Sequence, residues 1–449
     1  MRRRQPWSTF VLVGLISMGV AAQGADPVVK TAGVVKSLQY PELDIFLPTD
    51  NLPTREGPPV RVAAITTVYF KYSHADDIIT KFIEGYSVVG RIYNPHCKVV
   101  SLYVEQFPES DIGRGMASRY GIQLYSTVRE ALTLGGEELA VDAVLLIGEH
   151  GDYPSNEKGQ HLYPRRRLFG EIVKVFRQSG HGVPVFNDKH LSYAWHNAEW
   201  MYRQSRELDF PLMAGSSIPV TWRRPALSFL PGVELEAALS IGYGGIESYG
   251  FHTLETLQTF TEKRHGGESG IRAVECLEGK AAWQAAKEGR WSVELLRAAL
   301  DTTPLGAVSP DAIADPSKQL PPDADLEALD PNAMVFLIEY TDGFRAASYL
   351  SRGLVEQFAF AARVKGRAEP VATWCWFPRP QRDNFSFLSN HIEVMFRSGK
   401  PSYPVERTLL VSGALEKLID SHVAKGQRVE TPHLQDLKYT PVTEPGPKE

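Results

Sequence analysis

Short apolar runs alternate with amphipathic segments from Arg61 onward. The apolar runs predict six strands, at 61–67, 98–104, 122–125, 141–147, 183–187 and 210–214. The segments between them predict helices at 74–86, 110–120, 127–134, 164–179 and 194–207. Because the strands are apolar almost throughout and alternate with helices, they predict a parallel sheet covered on both faces. Residues 59–215 are therefore predicted to form one doubly wound α/β domain.

The pattern changes after residue 215 to longer runs in which polar residues interrupt the apolar ones. The predicted elements are two strands on either side of a turn at Asp342-Gly343, strands at 356–364 and 370–378, and helices at 384–398 and 405–424. Half-exposed strands joined as hairpins are typical of an antiparallel sheet. The predicted organisation is an α+β domain with an open, mostly antiparallel sheet over 216–435, a surface excursion rich in Pro and Asp at 301–331, and a tail at 436–449.

The first residues have the order of an export signal. Arg2-Arg3-Arg4 precede the apolar run TFVLVGLISMGVAA, and small and polar residues follow it. This order predicts a signal peptide over 1–22, cleaved after Ala22, and an irregular, proline-rich lead-in over 23–58. The run is short for a membrane span, and an uncleaved anchor is the alternative. The mature protein is expected to be periplasmic or extracellular, with no stable membrane span.

Composition and charge exclude one class of partner. The 449 residues carry a formal net charge of -5 and a pI near 6.2, so the chain lacks the basic excess of a nucleic-acid-binding surface. The basic cluster at 165–167 is predicted to be solvated or ion-paired. Cys97, Cys276 and Cys375 lie far apart without metal or redox spacing, and they are predicted to be small buried residues.

The segments that follow the predicted strands carry most of the candidate chemistry. The first strand runs into TTVYFKYSH, residues 66–74, and Glu105 follows the second strand. The strand at 141–147 leads into a loop that begins GEHGDY, and the strand at 183–187 ends within the stretch FNDKHLS. A later helical segment, GGIESYGFHTLETLQTF, contains His252. Loops at the carboxyl ends of strands are where open α/β sheets bind ligands.

These motifs, in this order, resemble the glucose-fructose oxidoreductase, inositol dehydrogenase and rhizopine-catabolism family (Gfo/Idh/MocA). The resemblance runs from Arg61 to about Thr431, and it is strongest where YGIQLYSTVREAL is followed by VDAVLLI. It implies an N-terminal Rossmann domain and a C-terminal domain whose open sheet forms the substrate site and often a subunit interface. The resemblance therefore implies a homo-oligomer that binds a small molecule.

The family's nucleotide-binding turn, Gly-x-Gly-x-x-Gly-x-x-His, falls on Thr66, Val68, Lys71 and His74. The spacing of the motif and its histidine are kept, but all three glycines, which let the backbone approach a pyrophosphate, are replaced. Lys71 can instead meet a phosphate with its charge. The resemblance implies that these residues and Glu105 bind NAD or NADP, and Glu105 favours NAD because its carboxylate would repel a 2'-phosphate. The alternative for His74 is a polar residue that opens a helix, with Ser73 as its N-cap.

Two further family motifs imply the catalytic residues. Glu-Lys-Pro falls on Asp188, Lys189 and His190, and Asp-x-x-x-His falls on Ser248 and His252, so the aspartate is missing. The resemblance implies that Lys189 and His252 take and give the hydroxyl proton while a hydride moves to the cofactor. The alternative for His252 is a helix histidine with its hydrogen bonds satisfied.

Three functions fit these residues. The first is an exported NAD(P)-dependent oxidoreductase that acts on a sugar, polyol or related hydroxyl compound. The second is non-redox carbohydrate chemistry such as elimination, hydration or epimerisation, with a metal held by Glu149, His150, Asp188 and His190. The third is a non-catalytic carbohydrate-binding protein. The implied substrate-binding residues are Glu149, His150, Asp152, Tyr153, Arg223 and Arg224.

Overall fold

The computed structural model describes residues 57–88, 91–304, 320–377 and 382–442, together with positions 34, 35, 47, 49 and 52. The predicted signal peptide, most of the lead-in and the residues from 443 onward lie outside this set. Among the described residues, no helix is both long and apolar enough to cross a membrane.

The elements alternate as predicted in the first half of the chain. The strands are β1 (Val34–Val35), β2 (Val60–Thr66), β3 (Tyr86–Val88), β4 (Arg91–Tyr93), β5 (Cys97–Val104), β6 (Gln123–Tyr125), β7 (Ala143–Ile147), β8 (Val185–Asp188), β9 (Leu212–Gly215), β10 (Arg223–Arg224), β11 (Ser228–Phe229), β12 (Leu235–Tyr243), β13 (Ile271–Glu278), β14 (Met334–Tyr340), β15 (Arg345–Ser351), β16 (Phe358–Val364), β17 (Val371–Cys375) and β18 (Val429–Glu430). The α-helices are α1 (His74–Glu84), α2 (Gly113–Tyr120), α3 (Val128–Thr133), α4 (Arg165–Ser179), α5 (Trp195–Glu207), α6 (Gly250–Thr261), α7 (Lys280–Lys287), α8 (Val293–Asp301), α9 (Leu326–Leu329), α10 (Asn384–Ser398) and α11 (Val405–Val423).

The first sheet is parallel, and its strand order is β6-β5-β2-β7-β8-β9. Its central strands are buried on both faces: every residue of β7 is buried, and in β2 only Arg61 is exposed. Counted along the chain, the six strands run 3-2-1-4-5-6, the order of a dinucleotide-binding doubly wound sheet. The order reverses between β2 and β7, which opens a crevice at the carboxyl ends of these two strands. The predicted doubly wound fold is confirmed.

The second sheet has the order β10-β17-β16-β12-β15-β14-β13-β18. All neighbouring pairs are antiparallel except β12 and β15, which run parallel. The predicted turn at Asp342-Gly343 joins β14 to β15, and Gly343 adopts a φ of 87° there. The predicted mostly antiparallel sheet is therefore confirmed.

The last two long helices connect the second half of the chain to the first sheet. Helix α10 packs beside α1, and its Phe385, Leu388 and Ile392 join the apolar core on one face of the first sheet. Helix α11 contacts α5, α6, β9 and β13. Thr408 of α11 donates a hydrogen bond to the carbonyl of Ala214 at 2.7 Å, so α11 fixes the end of β9 against α6.

Predictions made for single residues from composition are partly confirmed. Cys97, Cys276 and Cys375 are all buried. The arginine cluster at 165–167 is ion-paired at its first and last positions, but only Arg167 is solvent-exposed, since Arg165 is completely buried.

Candidate active site

A buried ion-paired triad lies at the carboxyl ends of β7 and β8. The Glu149 carboxylate accepts a hydrogen bond from Lys189 Nζ at 2.8 Å, and its other oxygen pairs with the Arg165 guanidinium. Arg165, the first residue of α4, also donates from Nη1 to His190 Nε2 at 3.2 Å. The structure therefore brings Lys189, Glu149 and His190 together, as the sequence predicts.

The backbone is left-handed at two of the predicted site residues. The φ angle is 66° at His150 and 61° at Lys189, in a region that side chains with a β-carbon seldom adopt. The Lys189 N–H donates to the Gly215 carbonyl at 3.0 Å, which ties the loop after β8 to the end of β9. Such conformations persist where the surrounding structure enforces them, and they cluster at functional sites. This geometry supports a functional role for both residues.

The charge of Glu149 is set by its two cationic neighbours. Burial by itself raises the pKa of this carboxyl group, but the Lys189 ammonium and the Arg165 guanidinium outweigh burial and hold the pKa well below its usual range. Glu149 is therefore ionised at neutral pH, and it fixes the position of the Lys189 side chain.

Three histidines of the site are neutral; His190 is buried, and His150 and His252 are partly buried. Burial lowers the pKa of His150 to about 4 and holds the pKa values of His190 and His252 well below the usual range. The positive charge of Lys189 lowers all three further. These imidazoles are therefore neutral hydrogen-bonding groups near pH 7.

The neutral histidines predict that stability falls on acidification. Below about pH 6.5 the unfolded chain takes up protons that the folded chain does not. For His150 the loss runs down to its folded pKa of about 4. One such group lowers the free energy of unfolding by about 2 kcal/mol between pH 7 and pH 5. We expect His252→Gln to reduce the pH 7-to-5 loss by about that amount in urea titrations. His181 is exposed, so His181→Gln should lose as much free energy of unfolding between pH 7 and pH 5 as the wild type does. If His252→Gln also lost as much as the wild type, the prediction would be contradicted.

Five buried polar atoms of the site lack a hydrogen-bond partner among the described residues. They are His150 Nε2, Asp188 Oδ1, His190 Nδ1, Glu247 Oε1 and His252 Nδ1. Native interiors leave few polar atoms unsatisfied, because each one costs about 1–3 kcal/mol. Their concentration around the Lys189–Glu149 pair indicates a place where a polar ligand or ordered water supplies the missing partners.

His74 also reaches this cluster. Its Nδ1 lies 2.6 Å from Asp188 Oδ2, and its ring centroid lies 5.3 Å from that of His150. The predicted N-cap is confirmed as well, because the Ser73 hydroxyl accepts a hydrogen bond from the N–H of Asp76. His74 therefore opens α1 and at the same time contacts the residue that precedes Lys189.

His252, the predicted partner of Lys189, lies among aromatic side chains. Its ring centroid is 5.9 Å from that of Tyr249, 5.8 Å from Phe251 and 5.9 Å from Phe358. The positive charge of Lys189 helps to lower the pKa of the His252 imidazole. Ser248 occupies the family's aspartate position, and none of the described residues hydrogen-bonds to His252 Nδ1.

Arg165 is the site residue that the sequence interpretation missed. A run of three arginines carries no sign that the first one points inward. The structure shows what makes room for it: a β-carbon at Gly148 would lie 2.7 Å from Arg165 Cγ, so glycine is what allows the arginine to pass the end of β7.

Gly148→Ala is therefore expected to destabilise the protein by about 1–3 kcal/mol. The buried Arg165 side chain cannot swing away, because Glu149 and His190 hold its guanidinium. Gly115→Ala in α2 is the matched control: no atom lies within 4 Å of the position that its β-carbon would take. We expect this control to stabilise the helix by about 0.5–1 kcal/mol. Chemical denaturation would contradict the prediction if both variants were equally stable.

The turn between β2 and α1 has side chains where a nucleotide-binding turn has glycines. Thr66 Oγ1 lies 3.0 Å from the Val68 carbonyl, and Val68 is buried. Lys71 is mostly exposed and pairs with Asp76 at 3.2 Å. The Asp76 carboxylate also accepts the Tyr72 N–H at 2.8 Å. The backbone at this helix start therefore offers a phosphate fewer donors than a glycine turn does.

A crevice of about 370 Å³ opens beside this turn at the carboxyl ends of β2, β5 and β7. Its walls include Val68, Phe70, Phe107, Pro108, Gly151 and Asp152. The mostly apolar lining suits a planar ring. Asp152, which the resemblance assigns to the substrate, instead lies in this crevice.

Glu105 directly follows β5, as predicted, and two groups already bind its carboxylate. It accepts a hydrogen bond from the Tyr153 hydroxyl at 2.8 Å and pairs with the Arg167 guanidinium. Tyr153, a predicted substrate residue, is thus engaged at this edge of the sheet. Arg167 neutralises the charge on which the predicted preference for NAD over NADP rests.

The predicted substrate residues Arg223 and Arg224 form β10 at the edge of the second sheet. The Arg223 guanidinium donates to the carbonyls of Leu227 at 3.0 Å and Pro219 at 2.7 Å, while the Arg224 guanidinium lies 3.8 Å from the centroid of the Trp222 ring. These two hydrogen bonds of Arg223 hold the backbone around β10 in place.

Three of the four predicted metal ligands, Glu149, Asp188 and His190, already have partners. Both Glu149 oxygens pair with Lys189 and Arg165, and Asp188 is bonded to His74. In the part of the chain that the structure describes, no group of three or more His, Cys, Asp or Glu side chains could hold a metal ion. The geometry does not support the metal set that the alternative function requires.

Comparison with known proteins finds similarity only among solved structures. No family model and no curated protein matches the chain. GenD2 from gentamicin A biosynthesis, in complex with NAD, is 14% identical, with 84% of this chain and 98% of that chain covered and a TM-score of 0.51. Myo-inositol 2-dehydrogenase from Lactobacillus plantarum is 10% identical, with 83% and 99% covered and a TM-score of 0.47. Scyllo-inositol dehydrogenase from Lactobacillus casei, with bound NAD(H) and scyllo-inositol, is 9% identical, with 83% and 99% covered and a TM-score of 0.49.

Fold and site together define a class: an α/β protein with a doubly wound sheet, a second open sheet, and polar groups gathered at the carboxyl ends of the parallel strands. The particular fold is the one that the sequence resemblance implies, and GenD2 shares it. At 14% identity the similarity to GenD2 shows the fold alone. The activity has to be argued from the site.

Proposed function

We propose that this chain is an NAD(P)-dependent oxidoreductase that acts on a hydroxyl group of a sugar, polyol or related compound. The observation that carries the proposal is the set of unsatisfied buried polar atoms around the Lys189–Glu149 pair, in a sheet of dinucleotide-binding strand order. The fold shared with GenD2, a structure in complex with NAD, supports the choice of cofactor.

A polyhydroxy compound suits these atoms. Neutral imidazole nitrogens and a carboxylate oxygen can each exchange hydrogen bonds with a hydroxyl group. The Lys189 ammonium, fixed by Glu149, can stabilise negative charge that develops on a substrate oxygen. The buried setting strengthens this interaction, because water does not screen it.

The residues present fit a dinucleotide held by side chains rather than by a glycine backbone. The apolar crevice beside Val68 and Phe107 suits an adenine ring, and Lys71 is the cation of the turn that can meet a phosphate. When bound, NAD(P) would supply a hydride acceptor for the carbon whose hydroxyl loses its proton.

A second candidate is non-redox chemistry on a carbohydrate in the same cleft. The side chains at the glycine positions and the bonded Tyr72 N–H favour this candidate, because both reduce what the turn offers a pyrophosphate. Lys189 and the neighbouring imidazoles would then serve acid–base steps such as elimination or epimerisation.

Nucleotide binding separates the two candidates. We expect NAD(H) or NADP(H) to raise the melting temperature, since a ligand at 100 times its Kd stabilises the folded state by about 2.7 kcal/mol. Calorimetric titration should show weaker binding in Lys71→Ala, with the exposed strand residue Lys98→Ala as the control. No heat and no thermal shift with any of the four nucleotides would overturn the first candidate and leave the second.

We also propose that the protein is exported and acts as a homo-oligomer. Export is proposed because residues 1–22 begin with charged residues, continue with an apolar run and end with small residues. The homo-oligomer is proposed because the resemblance implies that the open second sheet forms a subunit interface. Expression with residues 1–22 intact should give a mature protein that begins at Gln23 in the periplasmic fraction. Light scattering of the purified protein tests the assembly, and a monomer at micromolar concentration would contradict it.

A further inference from the structure

We propose that His74, oriented by Asp188, is the acid–base residue of this site. It takes the role that the family resemblance gives to His252. The proposal rests on the proposed function, in which the site moves a substrate proton. It also changes the assignment of His74, which the resemblance places at the cofactor.

The contact between His74 and Asp188 has the form of an oriented imidazole. Nδ1 of His74 lies 2.6 Å from Asp188 Oδ2, and the Asp188 side chain is completely buried. A carboxylate acceptor holds the proton on Nδ1, which leaves the lone pair on Nε2. None of the described residues hydrogen-bonds to Nε2, and the His74 side chain keeps 13% of its surface exposed. The proton-accepting nitrogen is therefore open to a ligand.

The pair stands next to the other groups of the site. Asp188 ends β8 and immediately precedes Lys189, so adjacent residues supply the orienting carboxylate and the ammonium. On the other side, His150 lies 5.3 Å from His74, ring centroid to ring centroid. Asp188 Oδ1 and His150 Nε2, both buried without partners, mark where a polar ligand would complete this part of the site.

The orienting hydrogen bond of His74 has no counterpart at His252 Nδ1 among the described residues. Three aromatic rings surround the His252 imidazole. An imidazole without a carboxylate to orient it and to stabilise its cation is a poor proton acceptor. The aspartate that is missing four residues before His252 is thus replaced functionally by Asp188, which orients a different histidine.

The proton step balances with the cofactor of the proposed function. In alcohol oxidation His74 Nε2 would take the proton of the breaking O–H bond, and the electron pair of that bond would form the C=O bond. NAD(P)+, when bound, would supply the acceptor for the hydride that leaves the same carbon. The Asp188 carboxylate would stabilise the resulting imidazolium. In the non-redox candidate the same nitrogen would take the proton of a C–H bond next to a carbonyl, and the electron pair of that bond would move to the carbonyl oxygen.

Histidine reactivity tests the proposal without substrate or nucleotide. Diethyl pyrocarbonate acylates unprotonated imidazole nitrogens, and peptide mass spectrometry resolves the rate at each histidine. We expect His74 to react about tenfold faster than His252, and Asp188→Asn to slow His74 by about tenfold. The exposed His181, which should react equally in both proteins, is the control for folding and reagent. Equal rates at His74 and His252, or no effect of Asp188→Asn on His74, would overturn the proposal.

A second measurement needs no variant. Long-range nitrogen–proton NMR of histidine-labelled wild-type protein should show His74 in its Nδ1–H tautomer, and an Nε2–H tautomer would overturn the proposal. Because neither experiment involves a cofactor, both can succeed while the nucleotide titration fails, and the reverse also holds. With a turned-over substrate, His74→Asn should lower kcat by about 10²–10⁴-fold and His252→Asn by less than tenfold. The opposite order would restore His252 as the base.

Discussion

Lys189→Met is expected to lower kcat by about 10³-fold or more while the protein remains folded. The ammonium is the positive group of the site that combines burial, a fixed position and a left-handed backbone at a strand end. Methionine keeps most of the apolar stem but removes the charge that would stabilise a developing alkoxide. Glu149 would keep Arg165 as its ion-pair partner, so the carboxylate is not left unpaired.

Two comparisons make this prediction specific. Lys98→Met replaces an exposed lysine of β5, and turnover should be unchanged. Lys189→Arg keeps the charge but places a planar, longer group in a buried site, so we expect it to recover little activity. Steady-state kinetics on the sugar or polyol found to be oxidised, with circular dichroism as the check on folding, decides the outcome. A kcat within tenfold of wild type in Lys189→Met would remove Lys189 from the chemistry.

The parallel sheet could be predicted because its strands are buried on both faces. Strands such as β7, AVLLI, are apolar at every position, and amphipathic helices separate them. β12 and β13 of the second sheet were not predicted. In β13 the polar residues Arg272, Glu275 and Glu278 interrupt the apolar ones, and no tight turn links this strand to its neighbour β14.

From the sequence, only the order of the motifs along the chain indicated which residues form the site. Lys189, Glu149 and His190 follow strand ends, and strand ends meet at one edge of a parallel sheet. His74 and Asp188 are 114 residues apart, so no local spacing indicates that they are bonded. The direction of Arg165 was equally hidden, because the first turn of a helix can point its side chains inward or outward, and only packing against Gly148 settles this.

Arg165→Met is expected to lower the free energy of unfolding by about 3–5 kcal/mol. The guanidinium is completely buried, and it is the partner of both Glu149 and His190. Its removal leaves a buried carboxylate with one cation instead of two, and it leaves His190 Nε2 without a donor. The pKa of Glu149 should rise toward its usual range, because one of the two charges that hold it down is gone.

The prediction for Arg165→Met also specifies how the free energy of unfolding should change with pH. A carboxyl group whose folded pKa is depressed adds stability above its unfolded value, about 4.3, and loses that contribution as the pH falls toward the folded value. In Arg165→Met, Glu149 contributes less to the free energy of unfolding. The difference in free energy of unfolding between wild type and variant should therefore become smaller below about pH 4.

Arg167→Met on the same helix is the matched control. Arg167 also pairs with a carboxylate, Glu105, but half of its side chain is exposed, so water screens the pair and we expect a loss below about 1 kcal/mol. Urea unfolding of both variants compares a buried ion pair with an exposed one in the same helix. If the two losses were equal, the Arg165–Glu149 pair would not hold the site together. The position of Lys189 would then have to be set by the left-handed loop and its bond to Gly215 alone.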